Sequence, residues 1–138
     1  MVNRKKVQET LIRLKGYLDK LNTLSEYKRE DFLGDFTKVE SAKHLLQVSI
    51  ESCLNISQHI IASEQFRVPE NYAESFEILV ENRLIPEDFI PTLRKMVRFR
   101  NRLVHLYWEV DEEAILEILK DGFGDFETFI AYIVKYIA

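Results

Sequence analysis

The chain has 138 residues, 46% of them hydrophobic and 30% charged, the make-up of a soluble globular protein with one domain over residues 1–138. No apolar run approaches the roughly 18 residues of a membrane span, the N-terminal MVNRKKVQETLIRLK lacks the apolar centre of a secretory signal, and the single cysteine, Cys53, excludes an intrachain disulfide and suits a reducing cytoplasm. A net charge of −4 argues against a general nucleic-acid coat protein, yet Arg94 to His105 holds five basic residues and no acid, against 14 basic and 23 acidic side chains elsewhere; such a stripe can hold an anion or a short run of phosphate backbone, or can be a solvated helix face.

The elements read as helices throughout. Val7, Leu11, Leu14, Leu18 and Leu21 alternate steps of four and three, which predicts a bundle helix over Asn3 to Leu24. SEYKREDFLGDF follows as a polar linker. Thr37 and Glu40 have capping-box spacing and open a second helix to Glu64, with Val39, Leu46, Cys53 and Ile60 at heptad spacing and a wide apolar arc. Ala42, Ser49, Ile56 and Ser63 add a mostly small stripe that permits close helix approach. Pro69 ends the segment. Asn71 and Glu74 open a short third helix, and Pro86 starts a fourth that reaches Tyr107. Asp111 caps a fifth, which Gly122 and Gly124 kink or break before Asp125 to Ile137. No stretch alternates long enough for a strand, so the fold expected is an all-α antiparallel helical bundle of about five helices.

Several catalytic systems are absent: no glycine-rich phosphate loop, no CxxC, and no metal-ligand spacing among His44, His59 and His105. Cys53 falls in the apolar arc and reads as packing; His44 and His59 flank the same helix and read as surface or boundary residues. The remaining candidate is the segment from Met96 to Tyr107. On a regular helix Leu93, Met96, Val97, Leu103 and Val104 form an apolar stripe, and Arg94, Arg98, Asn101 and His105 gather opposite. Arg100 falls inside the apolar stripe, with Tyr107 about 20° from it. A core-facing arginine is expensive unless it is paired or meets an interface. Arg100 and His105 are separated by about 140° around the helix. A distorted helix end, side chains converging from two flanks, or a second protomer could bring them together; a twofold pair of chains is the solution favoured here.

Arg100 with Asn101 directly after it, then His105 and Tyr107, resembles the signature of HepT-like proteins of the HEPN superfamily. ESAKHLLQVSIESCLNISQHII is similar to that family's long helix, RVPENYAESFEILVENRLI to its following segment, and RFRNRLVHLYWEVD to the signature itself. The resemblance spans roughly residues 5 to 135.

The resemblance implies a metal-independent endoribonuclease that needs no cofactor. His105 would be the general base on an RNA 2′-hydroxyl, Arg100 would stabilise the phosphoryl oxygens, and Asn101 would position the phosphate or orient the imidazole. Arg94, Arg98 and Arg102 are the candidate RNA contacts. It also implies a toxin, acting as a homodimer on RNA, with transfer RNA a family-level candidate. The partner would be an MntA-type nucleotidyltransferase antitoxin that transfers AMP to Tyr107 and so places phosphate beside Arg100 and His105. Without that resemblance, Tyr107 reads as a core or interface aromatic. Two other readings stay open: a non-catalytic helical nucleotide- or RNA-binding partner of a nucleotidyltransferase, and a bundle whose motif only stabilises a dimer.

Overall fold

Asn3 caps the first helix, its side chain accepting from Lys6 N at 3.3 Å. A computed structural model describes residues 3–121 and 123–138; Gly122, one of the two glycines expected to break the last helix, lies outside them. Among the described residues there are seven α-helices and no strand: α1 (Arg4–Ser25), α2 (Arg29–Leu33), α3 (Phe36–Glu64), α4 (Glu74–Glu81), α5 (Ile90–His105), α6 (Glu112–Asp121) and α7 (Gly124–Ile137). The count exceeds the five expected for two reasons. The polar linker winds into α2, and the chain breaks between α6 and α7.

α3 is the central element, packed against α1, α2, α4, α5 and α6. The predicted heptad residues Val39, Leu46, Cys53 and Ile60 are all buried. So are Val7, Leu11, Leu14 and Leu21 of α1, which faces α3. Phe76 of α4 and Phe129 of α7 meet edge to face in the same connected core, with ring centroids 5.6 Å apart. Ala42, Ser49 and Ile56 are buried along one line of α3, but Ser63 is only half-buried.

The helix boundaries show which local interactions win. Thr37 does not cap α3. Asp35 does, accepting from Thr37 N at 2.9 Å and Thr37 Oγ1 at 2.6 Å, because an aspartate in extended backbone reaches the free amides of the first turn. Lys38 adds an ion pair at 2.8 Å. Gly34 makes the tight entry possible, since a Cβ there would stand 2.8 Å from the Glu30 carbonyl oxygen. α2 is tied down by an Arg29–Glu113 ion pair, and Lys120 Nζ donates to the Ser25 and Tyr27 carbonyls at 2.6 and 3.0 Å. Asn71 Oδ1 accepts from Glu74 N at 2.9 Å, but α4 begins only at Glu74, with Ala73 at its N-cap position.

The segment after Pro86 departs from expectation at both ends. Glu87–Phe89 is a 3-10 turn, and α5 begins only at Ile90 with Pro91 in its first turn. Proline needs no amide partner there. α5 stops at His105, and Tyr107–Glu109 forms a second 3-10 turn. Tyr107 therefore leaves the helical face on which regular periodicity put it. Two contacts fix the direction of α5 against α3: Glu51 meets Arg100, while Lys43 meets Tyr107. Residue numbers fall on α3 as they rise along α5, so this segment runs antiparallel to the central helix.

Candidate active site on the fifth helix

The arginine that conflicts with the apolar stripe is held by a carboxylate from the central helix. Arg100 Nε and Nη2 donate to Glu51 Oε2 at 3.0 and 2.8 Å. The two side chains are 18% and 24% exposed, so water screens them incompletely. Arg100 Nη1 donates to Asn101 Oδ1 at 3.2 Å. Its guanidinium carbon lies 5.2 Å from the centroid of the Tyr72 ring, within the range of a cation–π contact.

The layer beneath is polar and paired. Gln47 Nε2 donates to Glu51 Oε2 at 3.4 Å. Tyr72 Oη donates to Asn55 Oδ1 at 2.7 Å, with the Glu51 carbonyl at 3.3 Å. Burial and then the Glu51 carboxylate push the Tyr72 phenol above its ordinary range, while Arg100 opposes them. Leu54, Asn71, Tyr72, Val97, Arg100 and Asn101 wall a small cavity at this junction. Three paired N–H groups and the neighbouring ring fix the guanidinium more tightly than one ion pair would.

The other basic residues separate. Arg94, Arg98 and Asn101 line a groove between α4 and α5. Glu77 occupies Arg94, with Nε–Oε1 2.7 Å and Nη2–Oε1 2.6 Å. A second groove takes Lys95, Arg98 and Arg102 with Asp121 and Asp125. Arg98 lines both. Arg102 also donates to the Glu109 carbonyl at 3.4 Å, across the turn that holds Tyr107.

His105 is the last residue of α5 and is exposed. Among the described residues its side chain makes no hydrogen bond to Arg100. Since α5 is regular to its end, the angular separation of the two residues stands within one chain. Val104, expected in the apolar stripe, is instead 38% exposed, as is Leu106 at 39%, and Trp108 is 77% exposed. Three exposed apolar side chains thus stand within three positions of the histidine along the chain. Tyr107 is half-buried, and the Lys43 ammonium sits 4.5 Å from its ring centroid.

Sequence reasoning missed Glu51, Tyr72 and Lys43. For two of them a signal existed. From Ser41 to Ser63, Lys43 and Glu51 are the only Lys, Arg, Asp or Glu, and a charge in a helix with so wide an apolar arc needs a partner. Cys53 and His44 behave as expected, the first buried and the second exposed; His59 is half-buried. Among the described residues no three His, Cys, Asp or Glu side chains form a group that could hold a metal, and no helix is long and apolar enough to cross a membrane.

The all-helical bundle thus carries an arginine–asparagine pair on its fifth helix, a histidine at that helix's end and a tyrosine in the turn that follows. The Ribonuclease HepT-like family profile matches residues 14–133, and the chain belongs to that family. It is 35% identical over 99 residues to the mRNA nuclease HepT of Shewanella oneidensis, covering 72% of this chain and 74% of that protein. It is 23% identical over 130 residues to the tRNA nuclease HepT of Aphanizomenon flos-aquae, covering 94% and 88%. A solved structure of the tri-AMPylated Shewanella oneidensis HEPN toxin in complex with MNT antitoxin superposes with a TM-score of 0.84 at 29% identity, covering 94% of this chain and 96% of that one.

Proposed function

We propose that this chain is the ribonuclease toxin of a toxin–antitoxin pair, cutting RNA without a metal and neutralised by an MntA-type nucleotidyltransferase. Family membership gives the class, and the relatives are nucleases and a toxin bound to its antitoxin. The observation that carries the site is the Arg100 guanidinium, locked by Glu51 and Asn101 on the helix that ends in an exposed His105. His105 takes the proton of an RNA 2′-hydroxyl. The freed oxygen attacks the adjacent phosphorus, and the 5′-oxygen leaves with a proton. A 2′,3′-cyclic phosphate and a 5′-hydroxyl result. Arg100 stabilises the charge growing on the phosphoryl oxygens, Asn101 positions the phosphate, and Arg94, Arg98 and Arg102 engage the flanking backbone.

The active unit is a homodimer. Arg100 and His105 diverge around one helix, and the exposed Val104, Leu106 and Trp108 beside His105 suit burial against a second copy. In the silenced form the Tyr107 phenol oxygen attacks the α-phosphorus of ATP on the antitoxin, and pyrophosphate leaves. The AMP left on Tyr107 competes with RNA phosphate.

A second reading is a non-catalytic RNA- or nucleotide-binding subunit. It is favoured by the Glu51 carboxylate, which already neutralises Arg100. Incubating the purified protein with messenger and transfer RNA in EDTA separates the two. Cutting by the native chain but not by His105→Ala or Arg100→Ala supports the nuclease. Equal background cutting by all three leaves only the binding role.

A further inference from the structure

Lys43 on α3 is 6% exposed. Its ammonium lies over the face of the Tyr107 ring, 4.5 Å from the centroid. Among the described residues the one carboxylate in ion-pair range, Glu40, stands 3.9 Å away, beyond hydrogen-bond distance, and is itself about half exposed. Among the described residues the ammonium makes no hydrogen bond, although it carries three donors. The aliphatic stem is what is buried: Nζ is not among the buried atoms left without a partner, so the ammonium meets the π face on one side and water with its remaining donors. A cation with no protein hydrogen bond among the described residues thus stands beside the tyrosine whose modification would bring a phosphate.

We infer that Lys43 is the phosphate anchor of a modified Tyr107. A phosphodiester carried on the phenol oxygen starts a ring radius plus one C–O bond from the centroid that Lys43 already faces, within the swing of its flexible stem. The ammonium then exchanges its weak contact with Glu40 and the ring for charge-assisted hydrogen bonds to phosphate oxygens. This holds the adduct against α3 at the end of α5, where His105 stands, instead of leaving it free on a surface turn. The inference rests on Tyr107 being the modified residue. It adds a second binding group, on a different helix, that the signature motif does not contain.

The test needs no antitoxin. Phosphotyrosine is placed at position 107 by codon suppression in the full chain, and its phosphorus resonance is followed against pH. Lys43 favours the dianion, so the titration midpoint in the native background should lie below that in Lys43→Met by about half a pH unit or more, the size a unit charge at about 5 Å gives even at the dielectric of water. Lys43→Arg should keep the low midpoint. In the Lys43 chain itself, the folded midpoint should lie below that in strong urea, which keeps the test valid if Lys43→Met folds poorly. A midpoint that is the same with Lys43 and Met, or the same folded and unfolded, overturns the anchor. Failure of Tyr107 modification itself is read separately: an unchanged intact mass after co-expression with the nucleotidyltransferase counts against that reading, whatever the phosphorus titration shows.

Discussion

Glu51 and Arg100 form the polar link between the central helix and the signature helix, two guanidinium N–H groups converging on one carboxylate oxygen at 3.0 and 2.8 Å. The pair both permits an arginine at a mostly buried position and sets the direction in which that arginine faces. Glu51→Gln keeps the shape and removes the charge. It should lower unfolding free energy by about 1–2 kcal/mol in urea melts and slow RNA cleavage about tenfold, with kcat falling more than KM rises. Glu51→Asp should recover part of the rate. A Glu51→Gln protein with native kcat would show that Arg100 needs no such support.

Arg100→Lys is the sharper test of the guanidinium itself. Lysine retains the charge but not the planar fork that meets Glu51, Asn101 and a phosphate together. Cleavage should fall about 100-fold while the far-ultraviolet circular dichroism of the bundle stays native. A Lys variant within a factor of three of the native rate would mean that charge alone suffices at this position.

Arg98 lines both grooves along α5, whereas Arg94 is engaged by Glu77. On the proposed RNA role, Arg98→Ala in a His105→Ala background should weaken RNA binding and reduce the slope of log affinity against log salt by about one. Arg94→Ala should do less. Fluorescence anisotropy over a salt series measures both. Identical slopes for the native and Arg98→Ala grooves would remove this residue from the RNA path.

Trp108 is 77% exposed beside His105 and Tyr107. If a second copy covers this turn, Trp108→Glu should shift the protein to monomer in light scattering and reduce cleavage in parallel. Native assembly and native cleavage by the variant would place the interface elsewhere.

Asp35 gives the fold a defined acid response. The Lys38 ammonium, then the Thr37 hydroxyl and amide, hold its carboxyl down at about 2. Its folded value lies below the ordinary carboxylate value of about 3.9, so its stabilisation is complete above that value and is lost as pH falls through it toward about 2. Asp35→Ala should therefore be less stable near neutrality and show a shallower loss between about pH 4 and 2, the remaining slope coming from Glu74, lowered by the Glu70 amide and then Arg67, and from Glu81, lowered by Arg67. Urea melts at several pH values check it; parallel curves for the two proteins would mean that the cap carries no proton linkage.

The residue pattern by itself determined the long helices and their inner faces. Val7, Leu11, Leu14 and Leu21, with Val39, Leu46, Cys53 and Ile60, are buried as their spacing requires, and Leu18 partly so, because burying apolar surface is non-directional and needs only one face per helix. It also determined the signature of Arg100, Asn101, His105 and Tyr107, since sequence-local motifs survive without knowledge of the fold. What only the tertiary structure decided is the set of partners. Glu51 is 49 positions from Arg100, and Lys43 meets Tyr107 only because the segment after α5 runs antiparallel along α3 and then leaves the helix at His105. Helical periodicity can flag a charge as misplaced on an apolar face. It cannot say which distant opposite charge or ring compensates it, because that depends on how two helices are registered in space.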